Sequence, residues 1–354
     1  MISDATLGSA VDQGILTAAQ VEQLIALERQ SARRTEPVDD EKLRFISGFG
    51  DVFVTMGLAL FVGALGYFVH QAGGPTIMWA GIAAATWALA EFFTRRRRMA
   101  LPSIVLLVTF AVSCYLALYS IAFAQVTGKA AVAAFVDIAA PVAGALVIAS
   151  LATALLVALH YWRFRVPITV AAGVAAIVAA IIGVVFFLAP TFAERAFSYF
   201  ILVAGILVFA LAMRFDMSDP MRLTRRTDIA FWLHLLAAPM IVHSLISNLM
   251  QAYSLDIAHA VVILSIFLAL GLVALLVDRR AMLVSGLGYA GYAFGALIRQ
   301  TGLSNETVPL TLLVLGAFVL LLSAGWRPLR GALTKLLPQD LVRRLPHPAT
   351  ISTA

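Results

Sequence analysis

The sequence predicts an all-α integral membrane protein with about ten transmembrane helices and with both termini in the cytoplasm. Its residues are 62% hydrophobic and only 12% charged, whereas a typical soluble domain is about 25% charged. Apolar runs follow one another almost to the end of the chain. A helix that crosses a bilayer core about 30 Å thick needs roughly 20 apolar residues, and ten segments qualify: 52–70, 76–94, 103–124, 138–160, 167–189, 196–213, 229–249, 257–277, 281–298 and 308–325.

The apolar stretch at residues 130–160 is too long for one upright span. Its 31 residues contain no lysine or arginine, and as a helix they would extend about 46 Å at about 1.5 Å per residue. Asp137 and Pro141 divide the stretch. We therefore expect a span from residue 138 onward, preceded by an interfacial or re-entrant segment at 130–136.

The distribution of positive charge predicts the orientation. With the N-terminus in the cytoplasm, 22 of the 25 lysines and arginines fall on the cytoplasmic side, and only Lys129, Arg195 and Arg299 fall outside. Lysine and arginine accumulate in cytoplasmic loops, so this asymmetry favours ten spans over eleven. The arginines lie in short clusters between apolar runs. The net charge of +6 therefore indicates membrane topology, and we expect no nucleic-acid partner.

Three regions follow from this pattern: a cytosolic helical headpiece with its linker at 1–50, a transmembrane domain at 51–326, and a basic cytosolic tail at 327–354. In the headpiece, Gly14 ends a first helix, and Thr17 with Gln20 forms a capping box for a second. This pair of helices has too little core to be stable alone, so we expect it to lean on the membrane domain or on a protein partner. The tail mixes leucine and arginine. It predicts either an amphipathic helix on the inner leaflet or a simple basic flank.

The span at 229–249 contains two histidines and a proline within the apolar zone. His234 and His243 are nine residues apart, so on a helix they lie on opposite faces and about 13.5 Å apart. We therefore expect no shared metal ion. We favour a hydrogen bond from each histidine to a neighbouring helix over a proton relay. Pro239 frees the carbonyl of Leu235 and is the candidate hinge.

Five polar residues are predicted near the outer leaflet: His70, Asp137, His243, Asp256 and His259. If these helix ends converge, they form a polar cup suited to protons, a metal or a cationic solute. The plainer alternative is that Asp256 caps a helix and that His70 lies at the membrane interface.

Two further patterns favour structural roles. Glu91 and Arg95 are spaced to form a salt bridge on one helix face. The run Gly286-Leu-Gly288-Tyr-Ala-Gly291 matches the letters of a dinucleotide-binding motif, but it lies inside an apolar span, without the strand that the motif requires. Small residues instead fall near one face, where a neighbouring helix can approach closely: Ser285, Gly288, Gly291 and Gly295.

Three stretches together resemble a family of bacterial predicted membrane proteins of unknown function. They are Gly14-Ile-Leu-Thr-Ala-Ala-Gln20, Arg44-Phe-Ile-Ser-Gly-Phe-Gly-Asp51 and Phe231-Trp-Leu-His-Leu-Leu-Ala-Ala-Pro239. The resemblance implies a short cytosolic helical segment followed by many spans, and a location in the bacterial inner membrane. It implies no substrate and no catalytic residue.

No catalytic, metal-binding or cofactor motif is recognisable, so we expect no enzyme, no metal and no cofactor. Two functional hypotheses remain, and an intramembrane enzyme ranks below both. The first is a membrane protein that senses, scaffolds or anchors through its headpiece. The alternative is a small-solute transporter in which ten spans form a five-plus-five arrangement. The sequence leaves the oligomeric state open.

Overall fold

The computed structural model describes residues 10–24, 48–130, 139–219, 224–250, 257–300 and 306–338, together with Leu7, Arg222 and Leu345. Contacts divide the chain into two units, Met1–Leu43 and Arg44–Ala354.

In the first unit, Gly14 separates helical residues at 10–12 and 18–24. Gly14 has a φ of 69°, a left-handed conformation that glycine adopts without steric cost. The capping box closes in both directions: the backbone N–H of Thr17 donates to Oε1 of Gln20 at 2.9 Å, and the backbone N–H of Gln20 donates to Oγ1 of Thr17 at 3.3 Å. The predicted end of the first helix at Gly14 and the predicted capping box are confirmed. The predicted linker, at residues 35–40, lies outside the described residues.

The regular secondary structure of the second unit is entirely helical within the described residues. Its elements are α1 (Phe49–Ala90), a π-helical turn (Glu91–Arg96), α2 (Ala100–Ala130), α3 (Ala139–Phe164), α4 (Ile168–Leu188), α5 (Pro190–Met217), α6 (Arg225–Met250), α7 (Ile257–Val277), α8 (Ala281–Gln300) and α9 (Thr307–Lys335). Within the described residues, eight helices are long and apolar enough to cross a membrane, with α1 and the π-helical turn counted as one. The chain is therefore an all-helical, multi-pass membrane protein.

Helix α1 is a hairpin of two arms. Gly74 has a φ of 75° and breaks the helical conformation ahead of Pro75. A Cβ placed on Gly66 would lie 3.2 Å from Cδ1 of Ile82, and one on Gly81 would lie 3.3 Å from Cγ1 of Val69. In a continuous helix the residues of each pair would be about 18 to 24 Å apart, so the arms fold back on each other. The predicted break between 52–70 and 76–94 is confirmed.

Most helices pack against their neighbours in sequence, and α6 makes additional contacts with α4 and α8. Half of the most apolar window of α6 is buried, more than in any of the other seven candidate spans. Leu233 and Ala237 of this helix pack in one apolar cluster, whereas Ala238, Val242 and Ile246 pack in another. Helix α6 is therefore the central element of the second unit.

The ends of two other predicted segments can also be compared with the structure. Helix α3 begins at Ala139, which agrees with a span from residue 138; most of the proposed segment at 130–136 lies outside the described residues. The predicted tail boundary at residue 326 falls within α9, which continues through Pro328 to Lys335. Of the tail leucines, Leu333 packs against an apolar cluster, whereas Leu336 is 81% exposed.

The small residues of α8 face α9 at two positions. A Cβ on Gly291 would lie 3.4 Å from Leu315, and one on Gly295 would lie 3.4 Å from Oγ1 of Thr311. Close approach of a neighbouring helix is confirmed there. The predicted close approach is wrong at Gly288, where a Cβ would meet no described atom within 4 Å.

Candidate functional site

A cavity of about 440 Å³ opens at the end of the second unit where the arginine-rich segments meet; we call this end the basic end. The cavity, which we call the basic pocket, is lined by five arginines and one aspartate: Arg95, Arg98, Arg163, Arg165, Arg225 and Asp228. Its volume falls within the range of about 300 to 1,000 Å³ that is usual for ligand sites.

The basic pocket is built from helix ends. Arg95 lies in the π-helical turn after α1, and Arg163 lies in the last turn of α3. The third contribution comes from α6, where Arg225, Asp228 and Trp232 follow at spacings of three and four residues. Residues at these spacings share one face of a helix. The basic flanks that set the predicted topology therefore converge around one cavity.

Glu91 holds two of these arginines in place. Its Oε2 accepts a hydrogen bond from Arg95 at 3.3 Å and one from Arg163 at 2.8 Å. The first contact confirms the predicted pair on one helix face. The second joins residues 72 positions apart in the sequence, which local spacing does not reveal. A single carboxylate thus orients two guanidinium groups at the rim of the pocket.

Two pocket arginines occupy a backbone conformation that favours glycine. Arg98 has a φ of 54° and Arg165 a φ of 56°. A non-glycine residue in this left-handed region costs about 1 to 3 kcal/mol, and such residues cluster at functional sites. Because arginine occupies both positions in place of glycine, we infer that the arginine side chain is required there.

The inner wall of the basic pocket is apolar. Ile104, Phe164, Val166 and Trp232 all line it. Trp232 is seven residues after the start of α6, about 10 Å along the helix axis. The cavity therefore extends from the charged helix ends to a depth at which the spans are apolar. Its shape and charge suit an anion attached to an apolar group.

A second polar site, which we call the buried charge cluster, also includes a residue of α6. Its centre is Asp216, whose Oδ2 accepts hydrogen bonds from Nε2 of His234 at 2.8 Å and from Nε of Arg279 at 3.2 Å. The exposed fraction of each of these three residues is 2% or less. The expected hydrogen bond from His234 to a neighbouring helix is confirmed, because Asp216 belongs to α5.

Asp278 forms the other half of the cluster. It accepts a hydrogen bond from Nε1 of Trp326 at 2.8 Å, and its Oδ2 lies 3.3 Å from Nη1 of Arg222 and 3.6 Å from Nη1 of Arg330. These contacts join the end of α7, the connection before α6, and α9. Arg222 and Asp278 also have positive φ values, of 53° and 58°. The cluster therefore fastens several helix ends together.

Helix α6 connects the two sites. Trp232 lines the basic pocket, whereas His234 bonds to Asp216 in the buried charge cluster. Successive residues on a helix are rotated by about 100°, so side chains two residues apart point to nearly opposite faces. Helix α6 therefore contributes one face to the basic pocket and the opposite face to the buried charge cluster.

The predicted outer cup stays a prediction. Nδ1 of His243 lies 2.6 Å from the hydroxyl of Tyr289, which joins α6 to α8 and confirms the expected contact with a neighbouring helix. His70 is exposed on the first arm of α1, and His259 is partly buried near the start of α7. Asp137 and Asp256 lie outside the described residues. Within the described residues, no group of three or more His, Cys, Asp or Glu side chains is placed to hold a metal ion.

The candidate hinge Pro239 lies within α6, which runs without a break from Arg225 to Met250. The hinge also stays a prediction. Sequence reasoning missed Asp216 and Asp278, and it treated Arg279 and the pocket arginines only as basic flanks of apolar spans. Asp216 and Asp278 are carboxylates at the ends of apolar spans, and a carboxylate at such a position is the signal that would have indicated them.

Comparison of the chain with family models, with curated proteins and with solved structures finds no match. The fold and the two polar sites thus define the chain as a class only: an all-helical, multi-pass membrane protein with a basic pocket at one end.

Proposed function

We propose that this chain is a membrane-embedded sensor or anchor that binds an anionic ligand in the basic pocket and contacts a cytosolic protein through its headpiece. The observation that carries the proposal is the pocket itself, where five arginines from three separate segments surround one cavity. Arginine suits the recognition of carboxylate and phosphate because its planar guanidinium donates two parallel hydrogen bonds.

The proposal includes a finer topology. The α1 hairpin contributes two spans, and α8, which has 20 residues, adds one to the seven other helices of sufficient length and hydropathy. The chain then crosses the membrane ten times and keeps both termini and the basic end in the cytoplasm. Because the sequence resembles a family of bacterial membrane proteins, we propose the bacterial inner membrane as the location.

Two features support a partner-binding role for the headpiece: it forms a contact unit of its own, and it exposes apolar side chains. Met1–Leu43 forms its own contact unit, and Ile15 is 68% exposed and Leu24 44% exposed. Exposed apolar side chains on a small helical unit are suited to binding a protein partner.

The experiment compares capture of cellular proteins by three membrane-inserted forms: the full chain, the chain without residues 1–40, and the Ile15→Ser/Leu24→Ser variant. We expect the partner to be lost in both altered forms while the membrane domain still inserts. Retention of the same partner by both altered forms would refute the role of the headpiece.

A small-solute transporter is the second candidate, and the buried charge cluster favours it. His234 lies nine residues after the start of α6 and is fully buried against Asp216. Ionisable groups within spanning segments often serve ion or solute pathways. Uptake of an anionic solute into proteoliposomes, lost on His234→Gln, would support transport. No uptake by the unaltered protein would favour the sensor.

A further inference from the structure

We propose that the basic pocket binds a phosphate ester, and that the diester headgroup of an acidic phospholipid is its occupant. This inference rests on the proposed function, because it names the anion that the pocket receives.

The first argument is uncompensated charge. Five arginines but only one carboxylate, that of Asp228, line the cavity. Glu91 pairs with Arg95 and Arg163. Within the described residues, however, Arg98, Arg165 and Arg225 form no ion pair with a carboxylate. Like charges near a low-dielectric wall repel one another more strongly than they do in water. An anion placed among them removes this repulsion and accepts charge-assisted hydrogen bonds, which are about twice as strong as neutral ones.

The second argument is depth. The arginines lie at helix ends, whereas Ile104 lies four residues into α2 and Trp232 seven residues into α6. These positions are about 6 and 10 Å from the helix starts. Tryptophan is enriched at the membrane interface, where the phosphates of lipids lie. A lipid can therefore place its phosphate among the arginines and its glycerol and first methylenes on the apolar wall.

The third argument concerns the backbone at Arg98 and Arg165. Both residues have a positive φ, where glycine is free of steric cost. If only this backbone conformation were required, glycine would provide it without steric cost. The two strained positions instead direct guanidinium groups to the same cavity. Basic pockets between transmembrane helices on the cytoplasmic side are typical binding sites for acidic lipid headgroups.

The test uses native mass spectrometry of the purified full chain in a mild detergent. Phosphatidylglycerol and phosphatidylcholine are titrated separately, and glycerol phosphate is titrated as a soluble phosphate ester. The site variant is Arg98→Gly/Arg165→Gly, which removes both side chains and retains the backbone conformation. The control is Arg96→Gln, which removes one arginine of the same segment that does not line the pocket. Thermal unfolding in the same detergent checks that each variant folds.

We expect phosphatidylglycerol to bind in preference to phosphatidylcholine. The site variant should bind it at least about tenfold more weakly, since it loses two side chains that donate charge-assisted hydrogen bonds. The Arg96→Gln control should bind it like the unaltered chain. A second site variant, Arg98→Lys/Arg165→Lys, keeps the charge and should bind with intermediate affinity.

Two outcomes would overturn the inference, and they have different consequences for the proposed function. If glycerol phosphate binds and is lost in the site variant, while phosphatidylglycerol binds equally to both chains, the lipid assignment is wrong and the anion-binding function stands. If the site variant changes the binding of neither compound, the pocket is not a phosphate site, and the proposed function is then restricted to other anions such as carboxylates.

Discussion

Arg279 donates a hydrogen bond from Nε to Oδ2 of Asp216, 63 residues earlier in the chain, at a distance of 3.2 Å. A second hydrogen bond joins Nη2 of Arg279 to Oδ1, so the pair is bidentate. His234 shares the same carboxylate. Arg279 therefore ties the connection between α7 and α8 to the end of α5, and α6 lies between them in the sequence. A network of this kind specifies which helix ends meet.

Removing one partner of this buried pair should destabilise the protein strongly. We expect Asp216→Asn and Arg279→Met each to lower the free energy of unfolding by about 3 to 5 kcal/mol, because each leaves a polar group buried without its counter-charge. The double variant should lose less than the sum of the two losses. The free energy of unfolding is measured in mixed detergent micelles for the unaltered chain, the two single variants and the double variant. Additive losses would show that the two side chains do not interact.

The attachment of α9 depends on Trp326. Its indole N–H donates to Asp278, and the residue is 3% exposed. We expect Trp326→Phe to lower the free energy of unfolding by about 2 to 4 kcal/mol, since it removes a hydrogen bond to a charged group and some buried apolar area. Trp162→Phe is the matched control, because Trp162 is 75% exposed; its effect should stay within about 0.5 kcal/mol. Equal effects of the two substitutions would contradict this role of Trp326.

Close packing of α5 on α6 depends on Gly205. A Cβ at this position would lie 2.9 Å from Cγ1 of Ile241 and 3.2 Å from its backbone nitrogen. Backbone atoms cannot move aside cheaply, so Gly205→Ala should cost about 1 to 3 kcal/mol. Gly63→Ala is the control, since a Cβ there meets no described atom within 4 Å. It should be neutral or stabilising by up to about 1 kcal/mol, because alanine favours the helix. Thermal unfolding compares the two variants, and equal midpoints would rule out the tight contact.

Local pattern was sufficient for much of the fold. Run length alone placed the break between 52–70 and 76–94 that becomes the α1 hairpin. The capping box and the Glu91–Arg95 pair follow from spacings of three and four residues. These features depend on residues that are close in sequence. Elementary helix geometry therefore predicts them without knowledge of the tertiary structure.

The sites depend on contacts that sequence spacing does not contain. Arg163 reaches Glu91 across 72 residues, and Arg279 reaches Asp216 across 63. In the sequence these arginines look like ordinary basic flanks of apolar spans. The same flanks become a pocket or a buried network according to which helix ends adjoin. Positive φ at Arg98 and Asp278 is likewise invisible in the sequence, because glycine is the residue that usually marks such positions.

The orientation of the whole chain can be tested at the tip of the α1 hairpin. Gln71 is exposed and lies just before the Gly74 turn, whereas Arg96 is exposed at the basic end. The one native cysteine, Cys114, is buried, so single cysteines at the two test positions can be labelled selectively. With the basic end in the cytoplasm, a membrane-impermeant maleimide should label Gln71→Cys in intact cells and Arg96→Cys only after lysis. The reverse pattern would invert the orientation and place the basic pocket outside the cytoplasm. Labelling of both positions in intact cells would mean that the two arms of the hairpin do not each cross the membrane as proposed.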